Sequence, residues 1–379
     1  MLHIKNGNIY MGQGRYEPGW DILCEGDTIL EIGPSLSAEG ATLLDAAGRD
    51  VYPGFVLGLC AVGAVAFSES GSWDILEAAT PVVPEMDIRH AFDLRELKRQ
   101  RFGRVGITAY GLTPGTKALL AGQISLVHVD GDHTADVFLA ERIALKGNYI
   151  QTVKDTFKAK AAPQTRMAMH QMLDDSFRAA KEYMDKEEKD YDAGKEVLCR
   201  VLKGEIPFVV SADTQGEIES VMEIAQKYSL RLVITGAYSI EKVADRAIEM
   251  GCHIMLGDSS FMMNGLKNET CHKNLVELYR KGLKLSIFCS GDLAYPPGYE
   301  QLLWVAAQMS AAGATGPEIM DMMTQGPAQA LGVGHLVGSL EVGKQADIII
   351  CKGNPALRFD NFVDHTIVAG RHFYAREGK

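Results

Sequence analysis

The sequence predicts an α/β protein: a (β/α)8 TIM barrel carrying a small composite β-sandwich module built from both termini. Three observations lead there. The 379-residue length suits a large barrel with an attached smaller unit. The middle of the chain alternates short apolar runs with long helical patterns. The two ends share a texture of short strands and turns that the middle lacks.

At the N-terminus the strands are read as Leu2–Lys5, Asn8–Met11, Trp20–Cys24, Thr28–Ile32 and Ala41–Asp45. Asn6-Gly7 and Glu25-Gly26-Asp27 sit between alternating apolar residues, as hairpin turns do. At the C-terminus, Gly338–Leu340, Asp347–Lys352, His365–Val368 and His372–Tyr374 repeat the pattern, with turns at Asn354-Pro355 and Ala369-Gly370-Arg371. The expected division is 1–52 plus 336–379 for the module and 53–335 for the barrel.

The barrel strands are read at Tyr52–Leu59, Gly106–Tyr110, Ile124–Val129, Pro207–Ala212, Arg231–Thr235, His253–Leu256 and Lys284–Cys289, with an eighth near Val137–Ile143. Phe208-Val209-Val210 and Leu232-Val233-Ile234 lack polar alternation, so both faces of those strands are buried, as in a parallel sheet covered by helices. Helices fall between several of the strands, at Thr165–Glu188, Gly216–Tyr228, Ile240–Met250, Lys273–Lys281 and Tyr299–Ala311. An open doubly wound sheet is the rival. The first strand is not followed by GxGxxG, which weakens its dinucleotide-binding version.

Composition narrows the partners. A net charge of −11 repels phosphate backbones, so nucleic acid is not expected. No basic patch or long apolar run suggests a membrane. Seven scattered cysteines without a CxxC pair read as reduced thiols. With no leader pattern at the N-terminus, a cytoplasmic location is expected.

Catalytic groups of a barrel sit at the C-terminal ends of its strands. The first reads Val51-Tyr52-Pro53-Gly54-Phe55-Val56-Leu57-Gly58-Leu59-Cys60-Ala61-Val62-Gly63. A small β module closing on V-x-PGF resembles the amidohydrolase superfamily, whose members read PGF-I-D-x-H-x-H-x-G here. Thr113-Pro114-Gly115-Thr116 with Ala121-Gly122-Gln123 resembles the PGS…GGQ loop of the imidazolonepropionase-like branch, and Thr165-Arg166-Met167 resembles its S-T-R-M helix start. Gly338-Ser339-Leu340-Glu341-Val342-Gly343-Lys344-Gln345-Ala346-Asp347 is close to the family's G-S-L-E-x-G-K-x-A-D.

The resemblance implies a metal-dependent hydrolase, yet the ligand positions depart from it. The paired histidines of strand one fall at Leu59 and Ala61, that of strand five at Ser211, followed by Asp213, and that of strand six near Gly236. The bridging Lys or Glu of strand four has no clear place; the nearest run, Ala144-Leu145-Lys146-Gly147-Asn148, lacks the Glu. The strand-eight aspartate falls at Ser290 or Asp292. A hydrolytic zinc site needs about three protein ligands to bring its water's pKa to about 7, and hydrocarbon side chains supply none.

The strand ends keep polar groups. Gln123, Ser211, Asp213, Thr235, Asp258 and Ser290 are candidate ligand-binding residues, with Asp292 as candidate catalytic base. Strand-end loops are also polar for no functional reason. Other histidines offer less: His128 and His133, with Asp130 and Asp132, could surround a cation or form a polar loop. His253 opens strand seven and reads as structural, and His90 follows a Pro-bearing segment that could reach over the pocket. The expectation is a non-hydrolytic homologue without metal or other cofactor. It would bind a small molecule, or act as a partner subunit in a homo-oligomer or a hetero-oligomer with an active relative. The alternative is an active hydrolase of C–N bonds in a cyclic amide or amidine-like substrate, using Asp292 with Asp213; a metal-free lyase or isomerase is a third class.

Overall fold

The structure is a computed structural model describing residues 1–65, 73–96, 99–160, 163–257, 271–287, 302–358 and 361–376. The first strands are β1 (Leu2–Tyr10), β2 (Tyr16–Glu25), β3 (Thr28–Pro34), β4 (Thr42–Asp45) and β5 (Asp50–Pro53). The barrel strands are β6 (Phe55–Cys60), β7 (Ile107–Leu112), β8 (Leu120–His128), β9 (Phe138–Asn148), β10 (Phe208–Ala212), β11 (Leu232–Gly236), β12 (His253–Leu256) and β13 (Lys284–Ile287). The last three are β14 (Ile348–Lys352), β15 (Phe362–Val368) and β16 (Arg371–Ala375).

Both termini weave one sheet in the order β16-β15-β14-β5-β1-β2-β3, with β4 paired to β1. The seam is β14 antiparallel to β5, where Ile349 faces Tyr52 and Ile350 faces Val51. Ile4, Ile9, Ile22, Ile29, Val51, Ile348, Ile350 and Ile367 form its core. Glu25-Gly26-Asp27 makes the expected hairpin between β2 and β3, and Ala369-Gly370, both at positive φ, make that between β15 and β16. Two expectations fail here. Asn6-Gly7 is a bulge within one continuous β1, Asn6 having φ 57°; the chain reverses instead at Met11–Arg15. Gly338–Leu340 forms no strand, because it lines the return from barrel to module.

The second sheet runs β6 through β13 in sequence order, and β13 lies against β6, bringing the barrel near closure. Its strands are parallel except β8, which is antiparallel to both β7 and β9. Chain length dictates this exception. A parallel crossover takes a dozen or more residues, and the link from Leu112 to Leu120 is too short for one. The eighth strand, read near Val137–Ile143, is β9, and it ends five residues later, at Asn148.

Helices Arg166–Met184, Ala193–Leu202, Gln215–Tyr228, His272–Arg280 and Leu302–Ala311 bury apolar faces against the sheet's outer side. Thr165 and the Thr214/Glu217 pair cap two of them. The lumen holds its own apolar layer of Val56, Leu59, Ala109, Ile124, Leu126, Ala144, Val209, Val233 and Met255. Below it, helix Gln325–Leu331 plugs the N-terminal end: Arg231, just before β11, donates to Gln329 O at 3.1 Å and Ala330 O at 3.4 Å. Gly111 of β7 is squeezed between plug and neighbour. A Cβ there would lie 2.3 Å from Gly58 O and 2.9 Å from Leu331 Cδ1. Gly111→Ala should therefore lower stability by about 1–3 kcal/mol through overpacking, read as a reduced urea midpoint with unchanged slope.

Candidate functional site

Strand alternation decides what faces the lumen. On β9 it is Ala144, Lys146 and Asn148; on β10, Val209 and Ser211; on β11, Val233 and Thr235. Ser211 pairs with Asn148 on one side and Thr235 on the other, all at the C-terminal strand ends. The side chains form a connected layer above the apolar one. Lys146 Nζ donates to Ser211 Oγ at 2.6 Å, Asn148 Oδ1 at 2.6 Å and Gly147 O at 3.0 Å. The Ser211 and Thr235 hydroxyls share a hydrogen bond of 2.9 Å. Asn148 Nδ2 donates to Gly115 O at 3.1 Å and Ala118 O at 2.8 Å, tying down the loop that follows β7.

Lys146 and Asn148 are wholly buried and Ser211 and Thr235 nearly so. An ammonium has three donors and no acceptor, and taking it out of water is costly unless those donors are met. Here three oxygens meet them, so the lysine defines the floor of the mouth.

The positions where the resemblance puts metal ligands are spent otherwise. Leu59 lies in the lumen's apolar layer and Ala61 is fully buried in the main core. Ser211 already accepts from Lys146. Gly236 has φ +81°, and a Cβ on it would lie 2.3 Å from Asp213 Oδ1, so a histidine there would need both a strained backbone and a displaced carboxylate. A divalent ion would find hydrocarbon or no side chain at Leu59, Ala61 and Gly236, and at Ser211 a hydroxyl already engaged by Lys146 and Thr235. Among the described residues no group of three or more His, Cys, Asp or Glu is arranged to hold a metal. Among the described residues the donor set does not fit the metal implied by the resemblance.

The structure brings Ser211 and Thr235 together and sets Asp213 beside Gly236; the Asp213 and Thr214 amides donate to Glu217 Oε2, starting helix Gln215–Tyr228. Gln123 stands apart. It occupies the outer face of β8, where its amide donates to Glu85 O at 3.3 Å and accepts from Arg200 Nη1 at 3.4 Å. Asp258, Ser290 and Asp292 lie outside the described residues.

The histidines read at the end of strand three lie apart from the mouth. Because β8 runs against its neighbours, its last residue, His128, faces Ala109 near the start of β7, at the end away from the mouth. His128 Nε2 bonds Asp347 Oδ2 at 3.1 Å. Burial disfavours its charge, but the Asp347 carboxylate outweighs this and raises its pKa. Asp130 and Asp132 instead approach Arg371, at 3.7 and 3.8 Å. Asp347 also accepts from Ala369 N, and its carbonyl from Gly54 N, so the Gly338–Asp347 signature fastens module to barrel. His90 is exposed on the turn Ile88–Ala91, after a segment bridged to β8 at Leu120 and Gln123.

Comparison with known proteins bears on this architecture. The Amidohydrolase family model matches residues 301–372. An amidohydrolase crystal structure from Thermotoga maritima MSB8 superposes with a TM-score of 0.89 over 99% of this chain and 100% of that one, at 23% identity. The chain has the amidohydrolase fold. A Xaa-Pro dipeptidase with bound methionine in its active site (TM-score 0.57, 18% identity, 99% and 100% covered) shares this amidohydrolase fold. So does E. coli guanine deaminase (TM-score 0.53, 15% identity, 100% of each chain covered). None of the curated proteins matches the sequence.

Sequence reasoning named the run that holds Lys146 as the nearest match to a strand-four bridge, but gave the lysine no role. A signal existed: a lysine between Ala144 and Asn148 on a strand flanked by strands on both sides must point either into the lumen or into the helix layer, and either place is dry. Lys146→Met, which removes the shared donor and leaves buried acceptors unmet, should cost about 1–3 kcal/mol, measured by chemical unfolding.

His253, at the opposite end, supplies a pH test. It is buried, bonds Ser286 Oγ at 2.6 Å, and burial lowers its pKa from 6.5 to about 3. Between those values the unfolded chain holds a proton that the folded one does not, so stability falls as pH drops from about 6.5 toward 3. The thermal midpoint of the wild type should fall more steeply over this window than that of His253→Asn.

Proposed function

We propose that this amidohydrolase-fold protein is a non-hydrolytic homologue, in which a lysine-centred hydrogen-bond layer has taken over the ground held by a catalytic cation. One observation carries the reading: Lys146 donates to Ser211, the residue standing where the strand-five metal ligand is expected. A cation entering there would meet a hydroxyl oxygen already accepting from the Lys146 ammonium, and Leu59, Ala61 and Gly236 offer it nothing in exchange. The hydroxyls of Ser211 and Thr235 and the carboxylate of Asp213 make the mouth suited to holding a small polar molecule by hydrogen bonds. A partner-subunit role, with a second copy or an active relative, is the setting in which such a barrel would serve.

The direct test is elemental analysis of the protein purified without chelator and then dialysed. Substoichiometric zinc, manganese, iron and nickel is the expected result. One equivalent of tightly held metal, lost in a Ser211→Ala or Asp213→Ala variant that still folds, would overturn the reading.

A further inference from the structure

We infer that the N-terminal end of the barrel, opposite the mouth, holds a binding site for a small organic ammonium ion, with Asp321 as its counter-charge. Two cavities open there, with volumes of about 380 and 350 Å³, each in the size range of small-molecule pockets. Gln13, Asp321 and Gln325 stand in the walls of both. Gln13 belongs to the turn between β1 and β2 of the module, Asp321 to helix Gly316–Met323 and Gln325 to the plug helix. The site therefore lies where module and barrel meet.

The wall is held in place without a ligand. The Tyr10 hydroxyl donates to Asp321 Oδ1 at 2.9 Å and approaches Pro317 O at 3.4 Å. The Gln13 amide also donates to the Asp321 carboxylate. A Cβ on Gly14 would lie 3.2 Å from Pro317 Cγ, so the turn rests directly on the helix.

Asp321 is half-buried and forms no ion pair with any described residue. Arg15 and Lys284 edge the cavities but are exposed and turn elsewhere, to Glu17 Oε1 at 3.8 Å and to Gly251 O at 3.4 Å. Burial raises the Asp321 pKa, and the hydrogen bonds from Tyr10 and Gln13 only partly offset it. A carboxylate withdrawn from water without a counter-ion is costly, and an incoming cation would relieve that cost. Other acidic and basic groups of the walls are engaged: His253 bonds Ser286, and Glu341 bonds Ser339 and Lys344.

The neutral groups decide the kind of cation. The Tyr279 hydroxyl and the side-chain amides of Gln325 and Gln329 make no hydrogen bond to described residues. Their oxygens can accept the remaining protons of an ammonium, which has three donors. The Asp321 charge contributes, after burial, to raising the Tyr279 pKa, so the carboxylate is within electrostatic reach of that ring, itself a surface that attracts cations. Because Oδ1 already accepts from Tyr10, a planar guanidinium would not have both carboxylate oxygens to itself.

The experiment is calorimetric titration of the full chain with benzylammonium chloride at neutral pH, with benzoate and benzyl alcohol as controls. Saturable binding of benzylammonium at one site is expected, with both controls weaker. Asp321→Asn keeps the size of the side chain and an acceptor for Tyr10 but removes the charge, and should weaken binding by at least about tenfold. In the wild type, affinity should fall as pH drops and Asp321 takes up a proton, which needs no variant to fold. Absence of saturable binding, benzoate bound as tightly, an affinity independent of pH, or an unchanged Asp321→Asn would overturn the inference. Binding lost in Ser211→Ala but kept in Asp321→Asn would place the probe in the barrel mouth, overturning this site while leaving the proposed function untouched.

Discussion

A lysine ammonium enclosed in a barrel must be surrounded by oxygen, and this requirement organises the mouth of the molecule. Lys146 takes Ser211, Asn148 and Gly147 as acceptors. Ser211 passes the network to Thr235, and Asn148 passes it to the loop after β7. Strands β9, β10 and β11 are thereby fixed in one register at their C-terminal ends, where a barrel normally leaves its residues free for chemistry. In an interior of low effective dielectric these bonds are stronger than in water, and leaving any one of them unmade is correspondingly costly.

The other half of the lumen is hydrocarbon. Leu59 and Met255 belong to the same apolar layer, and a Cβ on Gly58 would lie 2.6 Å from the Met255 sulfur. At the level of the mouth the lumen is therefore uneven: Leu59 and Met255 are apolar on β6 and β12, while Lys146, Asn148, Ser211 and Thr235 form the polar layer on β9 to β11 above Ala144, Val209 and Val233. At the far end, the buried His128–Asp347 pair joins the barrel to the module, and Asp347 also holds the turn at Ala369. The fastening gives the Gly338–Asp347 signature its structural role: it serves assembly of the fold, whichever chemistry the mouth performs.

Much of the architecture was legible in the sequence. Alternation and turn residues located most of the strands, and the kinship of the two ends foretold a composite sheet. The errors have identifiable causes. Asn6-Gly7 has hairpin chemistry, but the pairing of β1 with β2 on one side and with β4 and β5 on the other holds the chain extended through it. The antiparallel sense of β8 was implicit in the short Leu112–Leu120 link, yet repeated strand-and-helix patterning suggested a uniformly parallel barrel.

By itself the sequence determined the class of fold and the composite module. Each of these rests on local residue types or on nearest-neighbour periodicity, which a chain carries in one dimension. Only the tertiary structure decided that Lys146 meets Ser211, that Asp213 fills the space above Gly236, that Gln123 faces away from the mouth and that His128 lies at its opposite end. Those facts depend on strand direction and register, which are set by long-range pairing between segments far apart in the chain.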